Sequence, residues 1–328
     1  MSAFTLRRPV FLLTMIYISQ INFSTAQLLQ AEYFDVRFSD YAGCKLPYYN
    51  GNDSIYLFDG CLAPGQNKIH LFTISSETIE FVAPMTGLAV MVNILGDDFG
   101  NMYYFNEQEV FTFDPVEKIS TSVTRLSSRI VDSPVFWDDQ SNNTRIFMSG
   151  MGSSGRSVYN VELEYGSYEY VATFSMPIYG SASSQIGNHV YLFDSGETTN
   201  RQAFKLELDT LRAGLVGQPT LPGYNLRPNS VYDGSFIYIL GGHSTLNGTD
   251  PVYTHGIYEF DPTTSDNRFI PVADLPLRNS ASIFNFAPAM VFVPHVNRIY
   301  CFGGHESTDS SVISLNTVFY IDLTPLRR

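Results

Sequence analysis

The sequence predicts an all-β fold, namely a six-bladed β-propeller of four-stranded antiparallel blades. A short apolar pattern centred on an aromatic residue recurs six times, at intervals of roughly 45 residues with a longer last interval, which is a spacing typical of propeller blades. A second pattern, in which apolar and polar residues alternate, follows each copy. The chain has no helical periodicity, so a closed ring of sheets is the natural way to bury these strands.

The aromatic-centred pattern predicts the second strand of each blade. It consists of an aliphatic residue, an aromatic residue, two mostly apolar residues and then a small or turn-forming residue. Such a short apolar run, bounded by turn residues, is typical of a strand that is buried on both faces. The six copies begin at Ile55, Met102, Ile146, Val190, Ile237 and Ile299.

The alternating pattern predicts the third strand of each blade, because alternation of apolar and polar residues marks a strand with one buried face. Most copies end in an acidic residue, and a proline follows in two of them, which favours a turn at that point. The six copies are residues 69–72, 110–115, 158–162, 204–209, 257–262 and 318–322.

The remaining strands follow from what surrounds these two patterns. An inner strand precedes the aromatic pattern, as at residues 89–92 and 289–293, and a weaker fourth strand ends in an apolar residue plus proline, as at Leu275–Pro276. The last unit has too few residues after Leu323 for a fourth strand, whereas the alternating segment 34–38 has no place in the first unit. We therefore expect segment 34–38 to be the outer strand of the last blade, closing the ring and covering an exposed edge.

Residues 1–26 are predicted to be a secretion signal, which leaves 27–328 as a single propeller domain. Arg7 and Arg8 precede an apolar stretch that is too short for a membrane-spanning helix, and small residues follow it at 24–26. The chain has 19 basic and 32 acidic residues, and this negative charge repels phosphate. We therefore expect a secreted, extracellular protein with no stable membrane anchor and no nucleic-acid partner. Its oligomeric state is left open.

Secretion also bears on the cysteines and on the glycosylation motifs. In an oxidising compartment we expect a disulfide between Cys44 and Cys61, which lie close together in the sequence. Cys301 lies inside an apolar strand and is expected to be a free, buried thiol. Asn-X-Ser/Thr motifs in turn-rich segments predict glycosylation at Asn52, Asn142 and Asn247.

Several of these features resemble kelch repeats. The double glycines 241–242 and 303–304 each follow an apolar strand, and residues 258–262 read aromatic-X-aromatic-Asp-Pro. The resemblance covers residue 44 to the C-terminus, but only the last two units carry the double glycine. The tryptophan usual in the outer part of a kelch blade is absent, since the single one, Trp137, lies elsewhere in its unit. The resemblance implies a divergent kelch propeller.

Kelch adaptors that capture peptides line one propeller face with Arg, Ser and Asn residues near the start of each inner strand. The segments 180–183, 227–230 and 278–280 place similar residues there. The resemblance therefore implies ligand contacts on the face where the inner strands begin, and guanidinium groups suit carboxylates. Such residues also satisfy backbone groups at the start of a strand, which is the structural alternative. The candidate ligand residues are Arg227, Asn229, Arg278 and Asn279.

The function expected from these observations is a non-catalytic module that binds an extracellular protein or a glycan. The alternative is a secreted carbohydrate-active enzyme, because kelch propellers include sialic-acid mutarotases and copper oxidases similar to galactose oxidase. Those oxidases need a cysteine crosslinked to tyrosine, and the cysteines here have other predicted roles. His243 and His305 each follow a double glycine, where they are either metal ligands or polar loop residues, and we favour loop residues. We predict no catalytic residues, no metal and no cofactor.

Overall fold

The computed structural model is all-β over the residues that it describes, and it consists of many small antiparallel sheets. No helix in this part of the chain is long and apolar enough to cross a bilayer. The predicted secretion signal, Cys61, Asn142 and Asn247, and the ligand candidates Arg278 and Asn279 lie outside the described residues. Described, with gaps, are residues 28–39, 44–59, 67–86, 94–97, 100–106, 108–126, 135–138, 145–151, 157–162, 167–173, 182–193, 203–216, 224–244, 255–277, 283–308 and 311–326.

The strands from β2 to β17 form four sheets, each made of four consecutive antiparallel strands, and we call these sheets units 1 to 4. The N-terminal strand β1, Leu29–Arg37, belongs to a different sheet. The other bounds are β2 Lys45–Tyr49, β3 Ser54–Asp59, β4 Lys68–Thr73, β5 Thr78–Pro84, β6 Leu95–Gly96, β7 Met102–Asn106, β8 Glu109–Asp114, β9 Ile119–Arg125, β10 Val135–Asp138, β11 Arg145–Met151, β12 Ser157–Glu162, β13 Ser167–Thr173, β14 Ala182–Ile186, β15 His189–Phe193, β16 Ala203–Glu207 and β17 Arg212–Leu215.

The later strands form two further units of four and one inserted sheet. Unit 5 contains β18 to β21, unit 6 contains β23, β24, β27 and β1, and the inserted sheet contains β22, β25 and β26. The bounds are β18 Tyr224–Tyr232, β19 Ile237–Ser244, β20 Gly256–Phe260, β21 Asn267–Ala273, β22 Ile283–Phe286, β23 Ala289–Val293, β24 Arg298–Phe302, β25 His305–Thr308, β26 Ser311–Ser314 and β27 Thr317–Asp322, with short 3-10 helices at Pro294–Val296 and Thr324–Leu326.

The N-terminal strand completes unit 6 by pairing with the last strand, as the sequence predicts, but the pairing lies mainly before the predicted segment 34–38, of which the ladder includes only Arg37. Residues 31–33 of β1 lie antiparallel to residues 319–321 of β27. The strand begins earlier than expected, because Leu29 and Gln30 also pair in parallel with Val272 and Ala273 of β21. The chain therefore joins units 5 and 6 into one eight-stranded sheet through β1.

The core lies between the units rather than within them. Six clusters of buried apolar residues occur among the described residues, and each cluster draws its members from two units. Phe58 and Phe113, for example, pack between units 1 and 2, and Phe193 and Phe260 pack between units 4 and 5. Each unit therefore buries both faces, which explains why the second strands are apolar without interruption. The pairs of units, in order, are 1–2, 2–3, 3–4, 4–5, 5–6 and 6–1.

Candidate functional site

The strand order gives every unit two different ends. In units 1 to 5 the first strand is joined to the second, and the third to the fourth, at one end, which we call the turn end. In unit 6 only the first two strands are joined at this end, because its fourth strand is β1. The segments that join the second strand to the third, and one unit to the next, leave from the opposite end, which we call the connection end. The first strand of each unit therefore begins at its connection end, where the sequence predicts the ligand to bind.

Several of the described turns at the turn ends are held by acidic side chains close in sequence. Asp114, at the end of β8, accepts hydrogen bonds from the backbone N–H groups of Val116 and Glu117, at 2.8 Å and 3.0 Å. Lys118 completes this turn with a left-handed backbone, at a φ of 58°. Side-chain to backbone bonds of this kind favour a turn over continued strand.

The first strands of all six units line one cavity of about 220 Å³, which we call the six-strand cavity. Each of these strands is the terminal strand of its unit. In β2, β6, β10 and β23 the lining residues lie at the beginning of the strand, so the cavity lies towards the connection ends. Units 4 and 5 contribute polar side chains, namely Ser183, Gln185, Asn229 and Ser230.

Two polar contacts join the walls of this cavity across unit boundaries. The hydroxyl groups of Ser184 and Ser230 are 2.9 Å apart and link unit 4 to unit 5. The Asn229 amide nitrogen donates to the carbonyl oxygens of Ala287 and Pro288, at 3.1 Å and 2.8 Å, just before β23 of unit 6. Asn229 therefore lines the cavity and also has a structural role, and its contact with a ligand stays a prediction.

A buried ion pair lies where unit 1 meets the cavity. The Lys45 ammonium group contacts a carboxylate oxygen of Asp59 and lies 4.7 Å from the centre of the Phe38 ring. Asp59 also accepts a hydrogen bond from the backbone N–H of Lys68, at 3.0 Å. Only 1% of the Lys45 side chain is exposed. This cation of the cavity wall is therefore already compensated by a neighbouring charge.

No protein-family model matches this sequence, and no curated protein matches it.

Of the other predicted ligand residues, only Arg227 belongs to the described part of the chain. Arg227 belongs to β18, within the stretch between Leu226 and Asn229 where the pairing with β19 shifts register. Such an irregularity changes the direction of the side chains along a strand. Arg278 and Asn279 belong to the segment between β21 and β22, outside the described residues. The contacts predicted for these three residues stay predictions.

Lys45 and Gln185 line the cavity, although sequence reasoning did not single them out. Neither residue belongs to a recognisable motif. Their place in the cavity depends on the register of β2 and β14, and on the positions of other units. The alternation of half-buried Ser183 and Gln185 with buried Ala182 and Ser184 is the one local signal that could have suggested a shared face.

The structure places both candidate metal ligands and the cysteine predicted to be free. His243 lies within β19 and His305 begins β25, so both belong to strands rather than to the loops we expected. Among the described residues no group of three or more His, Cys, Asp or Glu side chains could hold a metal. Cys301 is buried and free, and burial raises the pKa of its thiol well above the ordinary value. The Cys44–Cys61 disulfide stays a prediction.

Of the three predicted glycosylation sites, the described residues include only Asn52. It is exposed in the turn between β2 and β3, and its carbonyl oxygen accepts a hydrogen bond from the Tyr49 hydroxyl at 2.6 Å. This turn is at the turn end of unit 1. A glycan on Asn52 would therefore lie at the end of the unit opposite to the cavity lining of β2.

Proposed function

We propose that this protein is a secreted, six-bladed propeller of a divergent kelch type that binds an extracellular protein or glycan without catalysis. The ligand enters from the connection ends and contacts the mouth of the six-strand cavity. The observation that carries the proposal is that the first strands of all six units line this one cavity. Cavities with a few placed polar groups are the usual sites of ligand binding.

The order of the apolar clusters supports the ring. Five clusters join each unit to the next, and the sixth joins unit 6 to unit 1. A closed ring of six blades is the simple arrangement that gives every unit two such neighbours. The strand β1 then has the role that the sequence predicts for it, because it supplies the fourth strand of unit 6 from the other end of the chain.

The chemistry of the cavity wall supports binding rather than acid–base catalysis. Its described polar side chains in units 4 and 5 are hydroxyl and amide groups, which donate and accept hydrogen bonds without gaining or losing a proton near neutral pH. The ammonium group of Lys45 is bound to Asp59. General acid–base catalysis instead depends on titratable groups whose pKa lies near the working pH.

The experiment that tests this function is a screen of the mature protein, residues 27–328, on glycan and protein arrays. Hydrogen exchange of the complex with the best ligand then locates the site. We expect slower exchange at the beginnings of β2, β10 and β23 and unchanged exchange at the turns after β4 and β8. Protection confined to those turns would contradict the proposal. NMR spectra of the captured ligand that reveal chemical turnover would favour the carbohydrate-active enzyme instead.

A further inference from the structure

The six-strand cavity has the size and lining to hold one small, uncharged and hydroxyl-rich group. We propose that it binds a single neutral hexose residue of a glycan. This inference rests on the function proposed above and narrows its ligand from proteins and glycans to glycans. It follows from the volume of the cavity, from the hydrogen-bonding groups around it and from the compensated charge at its wall.

The volume limits the ligand to one compact group. Pockets for drug-sized ligands measure about 300–1,000 Å³. The six-strand cavity, at about 220 Å³, is smaller than these pockets. A single sugar ring matches this size, whereas a folded peptide segment or an oligosaccharide does not. The rest of a larger ligand would therefore remain outside, at the connection ends.

The groups around the cavity favour a ligand with hydroxyl groups on several sides. In units 1 to 4 the first strand is paired with the second strand on one side only. No described strand pairs with its other edge, and this holds for β14 as well. Unpaired strand edges present alternating backbone donors and acceptors. The side chains of Ser183 and Gln185 add a hydroxyl and an amide, and the Gln185 amide nitrogen also donates to the carbonyl oxygen of Gly187 at 3.3 Å. A hydroxyl group both donates and accepts, so a sugar can match such a mixture on all sides.

The charge at the wall favours a neutral sugar over an acidic one. The Lys45 ammonium is directed to Asp59, so it does not offer its charge to a carboxylate in the cavity. Burying an ionised carboxylate without a counter-ion costs far more than burying a hydroxyl group. Leu46, Leu95 and Met290 also line the cavity and provide apolar surface for the C–H groups of a sugar ring.

Saturation-transfer-difference NMR on the mature protein tests this inference directly. The probes are the methyl glycosides of glucose and galactose, with glucuronate and galacturonate as matched acidic sugars and N-acetyl-tyrosinamide as a peptide-like probe. We expect saturation transfer to at least one neutral glycoside and a weaker signal for its acidic counterpart. In the double variant S183A/Q185L the affinity for that glycoside should fall by about fivefold, because hydrogen bonds are lost.

The control variant is S76A, which changes an exposed serine in the turn between β4 and β5, at a turn end. It should bind the neutral glycoside as the wild type does, and melting curves should be the same for both variants. Binding of N-acetyl-tyrosinamide that is lost in S183A/Q185L would overturn the sugar assignment while supporting the proposed binding module. Equal binding of acidic and neutral sugars, or no binding of any sugar by folded protein, would also overturn it. The proposed module is tested separately by the arrays.

Discussion

The turn ends and the connection ends are made by the same strands, yet different interactions hold them. At a turn end many bonds are local, as when Asp261 accepts from a nearby backbone N–H at 2.7 Å. Contacts between units also reach the turn ends, as between the Tyr49 hydroxyl and His295 Nδ1 at 2.9 Å. Around the cavity the contacts join distant segments, as when Asn229 bonds to Pro288 of the next unit. Local sequence therefore accounts for more of the turn ends than of the cavity wall.

This difference suggests how stability and binding are divided. A turn that is specified locally contributes to stability whether or not a ligand is present. The connection ends combine the walls of the cavity with the segments that join the units, so a ligand there can contact several units at once. Loops on a rigid scaffold are common places for binding residues.

The largest loss of stability is expected from Phe34, because its side chain packs between the first and last units. Its ring centroid is 5.3 Å from that of Phe72 in unit 1 and 5.9 Å from that of Tyr300 in unit 6. Phe34→Ala should lower the free energy of unfolding by about 3–5 kcal/mol, measured by urea denaturation. Asp35→Ala, at an exposed neighbour, should change it by about 0.5 kcal/mol or less. Equal stabilities of the two variants would mean that β1 is not part of the core.

A smaller loss of stability is expected from substitution of Lys45, a residue at a connection end whose ammonium group is bound to Asp59 rather than offered to a ligand. Lys45→Met leaves the buried Asp59 carboxylate without its counter-ion, so we expect a loss of about 3 kcal/mol in urea denaturation. The double variant K45M/D59L should recover part of this loss, because it removes the buried charge as well. A single variant as stable as the wild type would show that the pair does not hold the cavity wall.

Asp261 tests the turn ends, and the effect should depend on pH. Burial acts to raise the pKa of Asp261, but hydrogen bonds from Thr263 and Thr264 outweigh it and lower the pKa below its ordinary value. This contribution is therefore present above the ordinary carboxyl pKa and is lost as the pH falls through the lowered value. Asp261→Ala should cost about 1 kcal/mol at neutral pH. A loss that persists in strong acid would contradict this cause.

The smallest effect is expected at Asn52, in an exposed turn. Asn52→Gln should remove any glycan at this position, which mass spectrometry of the secreted protein would detect. The unfolding free energy should change by about 0.5 kcal/mol or less, because the side chain is exposed. Binding of the ligand found on the arrays should be unchanged. Weaker binding by this variant would mean that the turn ends also take part in recognition.

The sequence predicts strands better than it predicts what joins them. The second and third strands were found from patterns that are local, such as 110–115 for β8, Glu109–Asp114. The N-terminal origin of the fourth strand of unit 6 also followed, because the last unit lacked a strand, but the predicted bounds 34–38 were too late, since residues 31–33 make most of the pairing. The inserted sheet of β22, β25 and β26 was not expected, and neither was the parallel pairing of β1 with β21.

The candidate site was harder to predict, because its contacts depend on how distant strands and units are placed relative to one another. Asn229 was identified because it resembles residues at the start of kelch inner strands, and it does line the cavity. Its bonds to Ala287 and Pro288 were not foreseeable, since they depend on how unit 6 lies beside unit 5. Lys45 and Gln185 were missed because the register of distant strands, rather than a motif, brings them to one cavity.

We assign ligand binding to the connection ends and not to the turn ends. A titration of the array ligand against the double variant R227A/R278A and against Asp261→Ala, with a melting curve for each, tests this assignment. We predict that R227A/R278A binds at least about tenfold more weakly than the wild type while its melting temperature is nearly unchanged, since charged hydrogen bonds are lost. Asp261→Ala should bind normally and melt earlier. The opposite pattern, with normal binding and earlier melting for R227A/R278A, would make these arginines structural and contradict the claim.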